Sequence, residues 1–153
     1  MQENFIEKNK NKKYELISDI NNEENTNEEK QALFDYFIHA ADLGHDTKIF
    51  DINIKWVKLL SEEFWKQGNI GKQKNLSISF LCNRENTNVP KSLVGFIGGY
   101  IIPTYYYLVI IFPSLNYTVE NAQNNLNIWQ KLADEGHKNG WTPEKNNVNK
   151  NNK

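Results

Sequence analysis

The sequence predicts an all-α domain, and three observations carry that expectation. Ile49, Ile52, Trp56, Leu59, Leu60 and Phe64 recur at three- and four-residue spacing across residues 47–67, with Lys55, Lys58 and Glu62 elsewhere on the wheel. Val119, Ala122, Leu126, Trp129 and Ala133 repeat the pattern before Gly136. The run with a strand-like alternation, Leu76 to Cys82, has no evident partner strand elsewhere, so it is expected as an irregular buried segment or short helix.

Taken in order, residues 1–30 are polar and rich in Asn, Lys and Glu, and read as a largely disordered segment interrupted only by Tyr14 to Ile17. Asn27 is placed to cap a helix that carries apolar residues through Leu33 to Leu43. The helix over 47–67 should stop at Gly68, a residue suited to the left-handed C′ position. Asn83 to Asn88 is rich in turn formers, and Pro90 fits the first turn of the next helix. Val89 to Tyr100 and Thr104 to Phe112 read as two helices broken near Pro103, with Pro113 ending the second. The folded domain is thus expected over residues 31–141, followed by a disordered Asn/Lys tail at 142–153.

Composition bounds the function. Eighteen basic against nineteen acidic residues give no reason to expect nucleic acid or an anionic membrane as partner. The single cysteine, Cys82, rules out an internal disulfide and suits a reducing compartment. The polar start, Met1 to Asn4, lacks the apolar core of a signal peptide, so a cytoplasmic location is expected. Leu93 to Phe112 contains no charged residue and has the length of a bilayer span. Gly98, Gly99, Pro103 and the mid-span Tyr105, Tyr106 and Tyr107 speak against a span, because Tyr prefers the interface, and favour a buried helical hairpin.

Chemistry-bearing residues are few. The chain has three histidines, and His39-Ala40-Ala41-Asp42 sets one of them a single turn from a carboxylate, on a shared helix face. Alone, such a pair is also what a helix end with a packed His and a solvated Asp looks like. The neighbouring stretches change that.

His39 to Lys48 (H-A-A-D, then four residues, then T-K) resembles the metal-site stretch of class I 3′,5′-cyclic nucleotide phosphodiesterases. The likeness continues through Trp56, Glu62-Glu63-Phe64-Trp65-Lys66-Gln67-Gly68-Asn69 and Ser79-Phe80-Leu81-Cys82-Asn83-Arg84, then Ser92-Leu93-Val94-Gly95-Phe96-Ile97 and Pro103. Asn125-Leu126-Asn127-Ile128-Trp129 is similar to a final N-L-x-x-W of some members. The blocks from His39 to Pro113 run in family order without a gap. His45, Leu81-Cys82 and Pro103-Thr104 most resemble the calmodulin-stimulated class.

The resemblance implies the C-terminal portion of that family's all-α catalytic domain. It implies hydrolysis of cAMP or cGMP to the 5′-monophosphate, in cyclic nucleotide signalling, assisted by zinc and magnesium. It implies that Asp42 is a metal ligand, that His39 packs or hydrogen-bonds behind it, and that Phe96, Leu93 and His45 face the substrate. Phe96 keeps the family's stacking position. Leu93 stands where members have a Gln that hydrogen-bonds the purine, and losing those bonds should cost on the order of 1–3 kcal/mol. Asp46 replaces a common Pro, and Gly98 a common Asp.

Two upstream family motifs, an H-N-x-x-H and an H-D, have no counterpart here. The chain is therefore expected to be an incomplete C-terminal fragment, inactive alone. The alternatives are a non-catalytic regulatory or interaction protein that keeps the pocket wall, or a small membrane protein anchored by Leu93 to Phe112. Helices normally covered by absent parts should expose apolar faces, which predicts self-association or pairing with a complementary fragment.

Overall fold

A computed structural model describes residues 27–137. The expected polar segment up to residue 26 and the Asn/Lys tail lie outside the described residues. Among the described residues the secondary structure is entirely helical, as the sequence predicts: α1 (Asn27–Asp42), α2 (Phe50–Gln73), α3 (Val89–Phe96), α4 (Ile102–Ile111) and α5 (Asn116–Asp134). Short 3₁₀ turns at Gly44–Thr47, Phe80–Cys82 and Pro113–Leu115 join them.

Residues 27–30, inside the segment expected to be polar and largely disordered, are helical, and Asn27, the expected cap of α1, is its first described residue.

Helix α2 shows two further departures. Its start is at Phe50, because Gly44 to Thr47 closes a 3₁₀ turn in which Thr47 Oγ1 donates to the Gly44 carbonyl at 2.9 Å. Its end is at Gln73, not at Gly68. Asn75 takes the left-handed conformation at φ 56°, the Leu76 N–H reaches the Gly71 carbonyl at 2.9 Å, and the Asn75 N–H reaches Lys72 at 3.1 Å. That is a Schellman ending, and Asn replaces Gly in it. Gly68 serves packing instead. A Cβ there would sit 1.9 Å from the Cys82 carbonyl oxygen, so only glycine lets the Phe80–Cys82 turn lie against α2.

The buried stripe of α2 is Asn53, Val57, Ser61, Trp65 and Gly68, while Ile49, Ile52, Trp56 and Leu59 are exposed. The stripe chosen by hydrophobicity thus faces outward. The buried one is polar at Asn53, whose amide finds partners inside.

Residues 76–79 are irregular, as expected, yet residues 76–80 are largely exposed, with only Cys82 of the run buried. Asn88 caps α3, its Oδ1 accepting from the Lys91 N–H at 3.0 Å, and Pro90 occupies the first turn. The helical hairpin predicted near Pro103 does not form. Residues 89–111 are one unbroken helix of 23 residues, with a π turn at Ile97–Ile101 between α3 and α4. Pro103 has no N–H to give to the Gly99 carbonyl and its ring would crowd that oxygen; the wider π turn just before it absorbs both problems. By length and composition this helix could cross a membrane, and 22 % of its apolar window is buried.

Helices α3 and α4 pack on α5. The core gathers Ala40, Val57, Trp65, Ile97, Ile101, Tyr105, Leu108 and Ala122 around Trp129. Two side chains tie α1 to α4 across this core: Tyr105 Oη donates to the Ala40 carbonyl at 2.5 Å, and Tyr36 Oη to Thr104 at 2.6 Å. Helix α5 closes as predicted, with Gly136 at φ 80° and the His137 N–H on the Leu132 carbonyl at 3.0 Å.

Two glycines of α2 separate packing from propensity. Gly68→Ala should destabilise by about 1–3 kcal/mol, since backbone must move. Gly71→Ala, with open space around its Cβ, should be neutral or stabilise by up to about 1 kcal/mol. Urea melts of both variants check this; equal effects would contradict the packing role of Gly68.

Candidate functional site

The site is built around the 3₁₀ turn that follows α1. Asp46 and Thr47 are buried in it, and His45 beside them is partly exposed. Asp46 is fully enclosed, and its surroundings are polar by design. Asn53 Nδ2 donates to Asp46 Oδ1 at 2.7 Å, and Trp129 Nε1 donates to Asn53 Oδ1 at 2.9 Å. From α5, Asn125 Nδ2 donates to the Asp46 carbonyl at 2.9 Å and to Lys48 at 2.8 Å, and Asn121 Nδ2 to Thr47 at 3.0 Å. Three elements distant in sequence are fixed by one set of buried bonds.

Residues of this turn line two cavities. One, of about 210 Å³, is lined by apolar side chains that include Leu60, Phe64, Leu93 and Phe96, together with His45 and Asp46. The other, of about 870 Å³, is broader and takes in Asp42, His45, Lys48, Trp56 and Tyr105. His45 is common to both, its ring 6.5 Å from that of Trp56.

The structure therefore brings His45, Leu93 and Phe96 into one apolar pocket and puts Asp42 in the cavity next to it. His39 is exposed one turn before Asp42 and lines neither cavity. Sequence reasoning missed Asn53 and Tyr105 as supports, and noted Asp46 only as a departure from a family pattern. A signal for Asn53 existed: Asn53, Val57, Ser61 and Trp65 recur every four residues, but the outward stripe is more hydrophobic and obscures them.

Burial pushes the Asp46 carboxyl above the usual carboxylate range, and His45 and the Asn53 hydrogen bond oppose the shift only in part. Burial also raises the Tyr105 hydroxyl. Asp42, a hard carboxylate at an open position, fits one place in a divalent-cation shell. Among the described residues no three His, Cys, Asp or Glu side chains come together to hold a metal ion. These residues by themselves do not fit a zinc–magnesium pair, which needs several converging donors.

The helical fold and the order of its motifs have counterparts among known proteins. The structure of LmjPDEB1 in complex with IBMX has the same fold, with a TM-score of 0.66 at 23% identity, over 72% of this chain and 33% of that one. The sequence pattern of the 3′5′-cyclic nucleotide phosphodiesterases matches residues 1–122, and the chain belongs to that family.

Among curated relatives, the cGMP-specific 3′,5′-cGMP phosphodiesterase 3 of Dictyostelium discoideum is 32% identical over 102 residues, 67% of this chain and 22% of that protein. The dual specificity calcium/calmodulin-dependent 3′,5′-cyclic nucleotide phosphodiesterase 1B of Homo sapiens is 38% identical over 77 residues, 50% of this chain and 14% of the relative. The probable 3′,5′-cyclic-AMP phosphodiesterase pde-4 of Caenorhabditis elegans is 31% identical over 108 residues, 70% of this chain and 16% of the relative. The chain thus spans less than a quarter of the length of each of these relatives.

The raised Asp46 value has a pH consequence. The folded state holds its proton more tightly than the unfolded chain, so this carboxyl favours folding fully below about pH 4. Its contribution is lost as pH rises from there through the raised value. Asp46→Asn should flatten that part of the stability–pH profile in thermal melts, and an unchanged slope would contradict the assignment.

Proposed function

We propose that residues 27–137 form the base-binding side of a cyclic nucleotide phosphodiesterase catalytic site, of the class that hydrolyses 3′,5′-cyclic nucleotides to 5′-monophosphates. One juxtaposition carries the proposal. His45, Leu93 and Phe96, from two stretches of chain, line a single apolar pocket, and His45 joins it to the cavity that contains Asp42. A purine stacked on Phe96 would direct its ribose phosphate toward Asp42. Stacking tolerates either purine, and the similar relatives carry names that specify cGMP, cAMP or both.

The family is metal-dependent. In this reading Asp42 is one donor of a zinc and magnesium site whose other donors are not among the described residues. The chain would then bind nucleotide and, by itself, turn none over. Leu93, apolar where the family hydrogen-bonds the base, also supports a second reading: a regulatory or interaction protein that keeps the pocket without hydrolysis.

The exposed Ile52, Trp56 and Leu59 on α2, with Phe34 and Ile38 on α1, form apolar faces without cover among the described residues. We take them as surfaces for a second copy or a complementary polypeptide. A cytoplasmic location belongs to the same proposal. The 23-residue apolar helix offers a membrane as the alternative, and resistance of the chain to carbonate extraction would favour it.

Titration of the 153-residue chain with cGMP and cAMP, followed by tryptophan fluorescence, tests the pocket. Binding is expected, weakened on the order of tenfold or more in Phe96→Ala; absence of binding would refute it. With magnesium and zinc added, no turnover is expected, whereas clear turnover abolished by Asp42→Asn would make the chain an enzyme alone. In sedimentation velocity the chain should self-associate with rising concentration. A monodisperse monomer would remove the interface proposal.

A further inference from the structure

We infer that Asp46 is a positioning residue for His45: it fixes the imidazole with its proton on Nδ1, so that Nε2 presents a hydrogen-bond acceptor to a nitrogen heterocycle seated over Phe96. The heterocycle rests on the function proposed above; the tautomer does not.

The pocket leaves few atoms able to read a ligand's polar edge. Leu93 has none. Thr87 Oγ1 donates its proton to the Asn83 carbonyl at 2.6 Å, and Ser92 Oγ to Asn88 at 2.9 Å, so both hydroxyl protons are spent locally. Ser61 and Trp65 also line the pocket, and His45 and Asp46 are its ionisable groups. His45 Nδ1 and Asp46 Oδ2 are buried, neither has a hydrogen-bond partner among the described residues, and they face each other at 3.2 Å.

Two lone pairs held at that distance in a dry site would repel, so a proton must lie between them. Asn53 Nδ2 already donates to Asp46 Oδ1 at 2.7 Å, a bond that favours the ionised, accepting form of the carboxyl, which puts the proton on Nδ1. Which ring nitrogen carries the proton is set by the bond the other one makes.

Asp46 is not free to turn away. Its Oδ1 accepts from Asn53 at 2.7 Å, Asn53 accepts from Trp129 at 2.9 Å, and the Asp46 carbonyl accepts from Asn125 at 2.9 Å. The carboxylate is thus aimed from the α2–α5 interface at the back of the imidazole. With Nδ1 turned inward, Nε2 is the nitrogen left for the cavities that His45 lines. An acceptor there selects a planar ring bearing an N–H donor, a lactam N–H or an exocyclic amine, over a plain hydrocarbon. Asp46 and His45 would take over part of the reading that Leu93 cannot do.

Two-bond ¹H–¹⁵N correlation spectra of the histidine-labelled full chain, at about pH 8 where an ordinary imidazole is neutral, decide the tautomer without any variant. The Nδ1–H pattern is expected for His45. The Nε2–H pattern, with Asp46 donating, overturns the inference. Binding supplies the second arm. Asp46→Asn should weaken cGMP and cAMP several-fold while leaving naphthalene, which stacks but offers no N–H, unchanged. Equal weakening of all three ligands, or no change in any, overturns the inference by reducing Asp46 to packing. If the unaltered chain binds naphthalene but no cyclic nucleotide, the proposed function fails, while the spectrum still decides the role of Asp46.

Discussion

The arrangement depends on a charged group that the core has had to accommodate. Asp46 is fully buried, and an isolated carboxylate in such a place would be costly. Its cost is offset by Asn53 on Oδ1, Asn125 on its carbonyl and His45 beside Oδ2, with Trp129 holding Asn53 in turn. Those bonds come from α2, α5 and the turn after α1. Satisfying one carboxylate therefore fixes three elements, and the pocket lies between the pieces so fixed.

That requirement explains the orientation of α2. Turning its most hydrophobic stripe inward would take Asn53 away from Asp46 and Trp129 and strand three buried polar groups, each worth on the order of 1–3 kcal/mol when unpaired. The observed packing keeps the polar bonds and leaves Ile52, Trp56 and Leu59 outside. Trp56 is not idle there, since its ring stands near His45 at the mouth of the broader cavity. The same outward faces give the chain its expected tendency to associate.

How much of this was legible in the sequence depends on which force decided each element. The helical class, the Asn88–Pro90 start of α3 and the Gly136 ending of α5 followed from local patterning and turn chemistry, and the structure has them. Where a distant contact decided, local reading failed. Gly68 looked like a stop but is a contact point for Cys82, a fact settled fourteen residues away. Pro103 looked like a break but is carried by a π turn. The Asp46–Asn53–Trp129 chain spans 83 residues and leaves no local trace beyond a four-residue spacing on α2. Of the candidate site, the ordered series of motifs pointed to Asp42, His45, Leu93 and Phe96; the last three line one pocket, and Asp42 lines the cavity that shares His45 with it. His39 has no comparable place, because its helix turns it to solvent.

The central claim is that Phe96, Leu93 and His45 form a nucleotide base pocket adjoining Asp42. The most direct measurement is of contacts between a bound cyclic nucleotide and the chain, by intermolecular nuclear Overhauser effects or a crystal of the complex. The account predicts the purine face against the Phe96 ring, its edge within reach of His45 Nε2, and the cyclic phosphate on the Asp42 side. A nucleotide bound elsewhere, or seated with its phosphate among Leu60, Leu81 and Leu93, would contradict it.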